Sequence, residues 1–290
     1  MDYIRANTVK EAVQALEDAK GHAKIVAGGT DILLDMDSGK VHADTLVDVM
    51  GISELCTLKQ EGKELVIGAG VTLSEISKND FVRKNLPSLA KGCGSVGSLQ
   101  IRNVATLSGN VLTAQPAADG AMALAPFMPI FEIQGIDGLR TCGMEEMYAG
   151  FGKSTVDSSK ELLVRIRVPL LKEGEAASFI RLELRKSLSL PMLNVAARAL
   201  IQGGVVKDVA ITMGPVGVGP KHATVGENWF VGKPFTLENI KEVAKYSLED
   251  AKPRSNPLRG SKEYRIQTLP VLVKRAFLDI AKQLHIEIKE

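Results

Sequence analysis

Aromatic side chains are scarce in this chain: Phe, Tyr and Trp make up 4% of 290 residues, with a single Trp. Binding single-stranded nucleic acid by base stacking needs a platform of such rings, so that class is set aside. An excess of charge of one sign is lacking as well. The 36 Lys and Arg stand against 34 Asp and Glu, a net charge of +2, and composition gives no reason to expect a polyanionic partner. The three cysteines (Cys56, Cys93, Cys142) form no Cys-x-x-Cys pair, and the four histidines (His22, His42, His222, His285) are equally dispersed. Such a set supports neither a disulfide framework nor a protein-held iron–sulfur cluster or structural zinc. Metal chemistry is therefore expected on another chain.

Long hydrophobic runs are missing too. The longest nearly uncharged stretch, about residues 120–131, is interrupted by Pro126 and Pro129 and is too short to span a bilayer. The first residues carry Asp2 and Arg5 with no apolar segment, unlike a signal peptide. The expectation is a soluble, cytoplasmic protein with no membrane span and no nucleic-acid partner.

What is present is an ordinary globular composition, 45% apolar and 24% charged, in a length that allows two or three small domains. Thr8 and Glu11 open an Ala/Val/Leu-rich segment as a capping box, predicting a helix over 8–19. Strand-like runs follow at 24–27 and 45–49, giving a first α/β unit over 1–52. A second unit, 53–172, is expected to hold a strand at 64–69 and helices at 72–79 and 81–91. A glycine-rich turn at 92–97, a helix at 117–125 and strands at 129–134 and 160–168 complete it. Beyond it, 173–290 reads as antiparallel strands at 178–184, 194–202 and 205–213, the last two joined by a Gly203-Gly204 hairpin. A Gly/Pro loop at 214–220 and helices at 237–250 and 261–283 close the chain.

Two glycine turns carry the chemistry. In Ala27-Gly28-Gly29-Thr30-Asp31, a strand enters a turn whose backbone can approach a phosphate closely because no Cβ intervenes. Residues from Asp31 onward can start a short helix that favours an anion. The turn lacks Gly-x-Gly-x-x-Gly and Gly-x-x-x-x-Gly-Lys-Ser/Thr, so it is neither a Rossmann nor a P-loop site. The second turn, Thr106-Leu-Ser-Gly-Asn110, offers hydroxyls, an amide and a loosened backbone, with Thr113 and Asp119 downstream. Hydroxyls and Asn suit phosphate and ribityl oxygens, and a carboxylate accepts from sugar hydroxyls. Each piece also fits a plainer role: a tight turn at Gly28-Gly29, a helix cap at Asp119. Two lysine-free glycine loops together suit a dinucleotide diphosphate held by backbone N–H groups.

The motifs Val26-Ala-Gly-Gly-Thr-Asp-Ile-Leu33 and Gln100-Ile-Arg-Asn-Val-Ala-Thr-Leu-Ser-Gly-Asn-Val-Leu-Thr-Ala-Gln-Pro-Ala-Ala-Asp119 resemble those of the FAD-binding medium subunits of molybdenum hydroxylases, the carbon monoxide and xanthine dehydrogenase type. Phe179-Ile-Arg-Leu-Glu-Leu-Arg185 and Arg259-Gly-Ser-Lys-Glu-Tyr-Arg265 extend the resemblance over nearly the whole chain. It implies an α+β fold: a two-subdomain FAD-binding fold of the vanillyl-alcohol-oxidase-like (PCMH) type, then a C-terminal α+β domain with a three-stranded antiparallel sheet and helices.

By this resemblance Ala27, Gly28, Gly29, Thr30, Asp31 and Ile32 hold the FAD diphosphate from one side, with Ile25 and Val26 before them also cofactor-binding. Thr106, Gly109, Asn110 and Thr113 hold it from the other, with Ser108 also cofactor-binding and Asp119 on the sugar-alcohol chain. Val96 and Gly97 lie beside the isoalloxazine ring, Leu163 contacts ring or adenine, and Arg181 lies near the flavin's polar edge; a solvated strand charge is the plainer reading of Arg181. No residue is expected to act as a general base or metal ligand. The molybdopterin cofactor and [2Fe-2S] clusters are implied on a large and a small partner subunit, as a dimer of heterotrimers. The chain's flavin is then the electron exit to NAD, a quinone or ferredoxin. The sequence departs from the pattern at Asp37, at Ser108 (commonly Gly) and in the run 185–189, which has no acidic residue; these leave the acceptor open. A flavin-free assembly subunit and a stand-alone flavin oxidase are the rival readings.

Overall fold

A computed structural model of the chain describes residues 1–185, 188–257 and 259–288; of the run 185–189, Lys186 and Ser187 lie outside the described residues. In chain order the elements are β1 (Asp2–Arg5), α1 (Val9–Asp18), β2 (Ala23–Val26), α2 (Ile32–Asp37), β3 (Thr45–Asp48), β4 (Leu58–Glu61), β5 (Glu64–Gly68), α3 (Leu73–Lys78), α4 (Asp80–Asn85), α5 (Pro87–Ser95), α6 (Leu99–Arg102), α7 (Leu107–Leu112) and α8 (Asp119–Leu124). They continue with β6 (Ile130–Gly135), β7 (Gly138–Gly143), β8 (Tyr148–Gly150), β9 (Lys153–Ser154), β10 (Leu162–Pro169), β11 (Glu175–Leu182), β12 (Leu193–Gln202), β13 (Val205–Gly214), β14 (Lys221–His222), α9 (Thr224–Phe230), α10 (Leu237–Tyr246) and α11 (Lys262–Gln283). Among the described residues no helix is long and apolar enough to cross a membrane.

The first compact unit comprises Met1–Ile76, Ser98–Ala114 and Met128–Pro169. Its parallel sheet has the order β1-β3-β2, and its larger antiparallel sheet the order β4-β5-β10-β6-β7. The Thr8 hydroxyl accepts the Glu11 N–H, and the Glu11 carboxylate accepts the Asn7 N–H at 2.8 Å, so α1 starts where the capping box predicts. Ala12, Val13 and Leu16 form the buried stripe of α1 and join Val47, Ile52, Leu55, Leu162 and Val164 in one core.

The second unit comprises Ser77–Gly97, Gln115–Phe127 and Leu170–Glu290. Its antiparallel sheet has the order β11-β12-β13-β14, four strands where the sequence suggested three. The added strand is two residues long: His222 and Lys221 pair with Thr212 and Met213, and the Glu227 carboxylate ties it down by accepting from the Ile211 N–H and meeting the His222 ring. Two residues carry no period that a sequence pattern reveals. Strand alternation sends Val195, Ala197, Ala199, Ile211 and Met213 into one core with Leu269, Leu272, Val273, Phe277 and Ile280 of α11. Ala196 and Phe179 join Met122 and Ala123 of α8 in another cluster. The predicted hairpin is present, with Gly203 and Gly204 at φ +59° and +73°, as a primed turn requires.

Residues 92–97, expected to be a turn, instead finish a helix: α5 runs through Ser95. A Cβ on Gly92 would sit 2.2 Å from the Ala123 Cβ of α8. This glycine is small for close helix packing, not free for a turn.

Candidate functional site

The two glycine turns meet inside the first unit. A Cβ on Gly28 would lie 2.0 Å from the Val104 carbonyl oxygen and 2.9 Å from the Ala105 nitrogen. The loop backbone therefore rests on the Val104–Ala105 peptide, where only glycine fits. Gly29 follows at φ +71°. The Gly29 and Asp31 carbonyls accept from the Leu33 and Asp35 N–H groups as α2 begins, while the N–H groups of residues 28–31 donate to no acceptor among the described residues.

The second turn is fixed from below. The Leu73 N–H donates to the Ala105 carbonyl at 2.9 Å, Thr72 and Thr106 form a bridge, and the Ser74 hydroxyl donates to the Asn103 amide oxygen at 2.6 Å. What the sequence presents as a loop at 106–110 is the start of α7. Thr106 Oγ1 caps it by accepting the Gly109 N–H at 3.0 Å, which leaves the Leu107 and Ser108 N–H groups without an intrahelical acceptor. The Thr113 hydroxyl donates to the Asn110 carbonyl at 3.1 Å. Two lysine-free runs of uncommitted backbone donors lie in one unit, the first seated at Gly28 on the Val104–Ala105 peptide that leads into the second, a combination suited to a diphosphate.

In the second unit Asp119 is 4% exposed. It is not a helix cap; that position is Ala118, and Asp119 opens the helix itself. Its Oδ1 accepts from Asn194 Nδ2 at 2.9 Å and its Oδ2 from Arg181 Nε at 3.0 Å. Arg181 also meets the Glu183 carboxylate and the Ser189 carbonyl, so it is enclosed, not a solvated strand charge. Burial pushes the Asp119 carboxyl up to about 6, against the opposing pull of Arg181 and Asn194. Asn194 Oδ1 is buried with no partner among the described residues.

The family model described as the FAD binding domain in molybdopterin dehydrogenase matches residues 1–171. The chain belongs to this family. A second model, the CO dehydrogenase flavoprotein C-terminal domain, matches residues 179–280. The chain is 26% identical over 275 residues to a xanthine dehydrogenase FAD-binding subunit of Escherichia coli O157:H7, covering 94% of this chain and 93% of the relative. It is 27% identical to the nicotinate dehydrogenase FAD-subunit of Eubacterium barkeri, covering 94% and 96%. A solved carbon monoxide dehydrogenase from Hydrogenophaga pseudoflava matches with a TM-score of 0.91 at 26% identity, over 98% of both chains. The expected fold, an FAD-binding half followed by a C-terminal α+β half, is thereby established.

The FAD-binding half fits a dinucleotide on the geometry above. Gly28, Gly29, Thr30, Asp31, Thr106, Gly109, Asn110 and Thr113 come together in one unit, following Ile25, Val26 and Ala27 at the end of β2. Ile32 opens α2. The Ser108 hydroxyl is buried with no partner among the described residues, so its N–H is the group it can offer. Leu163 is buried in β10 opposite Ile133 and likewise has only backbone to present. Val96 caps the C-terminus of α5, and Gly97 follows at φ +50°; with Asp119 and Arg181 they belong to the second unit. Sequence reasoning missed Asn194 and Glu183. The signal for Asn194 was there: an amide within Leu193–Ala199, an otherwise apolar strand segment apart from Arg198.

Proposed function

We propose that this chain is the FAD-carrying electron-transfer subunit of a multi-subunit molybdopterin dehydrogenase, working in the cytoplasm. The observation that supports the reading is the seating of Gly28 on the Val104–Ala105 peptide, which brings the first glycine turn against the segment leading into the second, both with backbone donors to offer a diphosphate. When bound, FAD supplies a carrier that can take up electrons one at a time and give up two.

The chain's own part is binding and orientation. Residues 27–32 and the start of α7 hold the diphosphate through N–H groups, with the Asn110 side chain beside them. The resemblance assigns Asp119 to the sugar-alcohol chain, Leu163 to the ring or adenine, and Val96, Gly97 and Arg181 to the ring. The names of the relatives, FAD-binding subunit and medium chain, support partner subunits; the resemblance makes these a small one with [2Fe-2S] clusters that delivers electrons and a large one with the molybdenum cofactor, as a dimer of heterotrimers. The acceptor is NAD, a quinone or ferredoxin. We further propose subdomain limits at 1–52, 53–172 and 173–290.

Co-expression of the chain with a candidate small and large partner subunit tests the reading. Substrate added to the purified complex under anaerobic conditions should bleach the flavin absorbance, and a Gly28→Val complex should lack both flavin and acceptor reduction. A flavin that stays oxidised while the complex turns over would sink the electron-exit role. Substrate oxidation by the isolated flavoprotein would favour a stand-alone oxidase.

A further inference from the structure

Arginines in this protein that leave the open surface meet carboxylates. Arg140 pairs with Glu161, Arg165 and Arg167 with Glu132, Arg181 with Asp119 and Glu183, and Arg198 with Glu175 and Asp208. Arg265, in the first turn of α11, is the fully buried arginine among the described residues, and it has no such partner. It is 3% exposed, and among the described residues its guanidinium donates to two backbone carbonyls: Nη1 to Arg254 at 2.7 Å and Nη2 to Pro215. Its Nε is buried with no partner among the described residues, and the charged group that acts on it is another cation, Arg259. A buried cation without a counter-charge is costly.

The surroundings deepen the deficit. Residues 252–265 carry Lys252, Arg254, Arg259, Lys262 and Arg265 against the single carboxylate of Glu263. Glu263 is turned to the start of its own helix, where its own backbone N–H and Ser261 hold it below the usual carboxylate range. None of the five cations has an ion-pair partner among the described residues. Lys252, Arg254 and Lys262 are exposed and Arg259 is half-buried, along a segment that is largely irregular between α10 and α11. The 22-residue α11 adds the positive end of its dipole at Lys262. The segment folds back between Asn256 and Gly260, and several cations spread over it match a run of carboxylates better than a single small anion.

We propose that this basic strap, formed by Lys252, Arg254, Arg259 and Lys262 beside Arg265, is a docking surface for an acidic segment of a partner protein. The inference rests on the reading that the chain works as a subunit. Carboxylates laid along the strap neutralise the exposed cations and complete, through a low-dielectric layer, the charge balance that Arg265 lacks within the chain.

The test is fluorescence anisotropy of the full-length chain with a fluorescein-labelled octaglutamate peptide at low and moderate salt. Arg254→Glu/Lys262→Glu should weaken binding at least ten-fold. Lys63→Glu/Lys241→Glu, an equal charge change at exposed sites elsewhere, should change it less than two-fold. Inorganic phosphate should displace the peptide no better than chloride of equal ionic strength. Equal losses in both variants, displacement by phosphate alone, or no peptide binding at low salt would each overturn the proposal. FAD binding measured on the same samples keeps the two readings apart, since its loss bears on the flavin site and not on the strap.

Discussion

At residue scale, the most consequential positions are those where one atom more would collide with backbone. Gly28→Ala drives a methyl into the Val104 carbonyl, which cannot rotate away, and such overpacking costs about 1–3 kcal/mol. The expected result is a lower melting temperature together with a marked loss of FAD affinity, measured by thermal unfolding and flavin titration. Asp119 gives a pH signature. Burial raises its carboxyl to about 6 in the folded chain against about 3.9 when unfolded. Between those values the folded state holds a proton that the unfolded chain has lost, so stability falls as pH rises through the window and levels off above it. Denaturant unfolding of wild type and Asp119→Asn should therefore show a stability difference that moves against wild type from about pH 4 to about pH 6.5 and is flat beyond. Parallel curves throughout would contradict the assignment. The sequence pointed to Asp119 and Arg181 separately, but their pairing was hidden because it spans 62 positions of chain.

At the scale of elements, legibility followed pattern length. The helix at 8–19, the Gly203-Gly204 hairpin and the last two helices carry long periods or strong caps, and the structure forms them within a few residues of expectation. β1 was missed because all four of its residues are exposed, which leaves no alternation to read. α7 was missed because Ser, Gly and Asn in its first turns mimic a loop, while its Thr106 cap supplies the start. Residues 92–97 spell Gly-x-Gly-x-x-Gly, yet most of them lie at the end of α5 against α8, not after a strand. Gly92→Val is accordingly expected to push α5 from Ala123, lowering stability by about 1–3 kcal/mol, whereas Gly94→Ala, whose Cβ would meet Ser77 at 3.5 Å, should be tolerated. Calorimetry of the pair checks this. Across the antiparallel sheet of the first unit, Arg167 bridges Glu61, Glu64 and Glu132. Arg167→Met should cost about 1–3 kcal/mol, because buried Glu132 is left with Arg165 as its partner, while the shares of the more open Glu61 and Glu64 pairs shrink in high salt.

For the whole molecule, the account joins a family assignment covering residues 1–171 and 179–280 to a physical reason for the motif that marks it. Two loops more than seventy positions apart come into contact because Gly28 has no side chain where the Val104–Ala105 peptide passes. The substrate of the partner enzyme is not written in this chain, since nothing here is expected to touch it. What the chain itself must do is hold FAD. The most direct measurement is therefore a titration of the purified full-length chain with FAD, followed by quenching of flavin fluorescence, beside Gly28→Val and Asn110→Ala. The account predicts saturable one-to-one binding, abolished by Gly28→Val and weakened at least ten-fold by Asn110→Ala, with both variants folded by circular dichroism. No saturable binding by the wild-type chain, or unchanged affinity in a folded Gly28→Val protein, would contradict it.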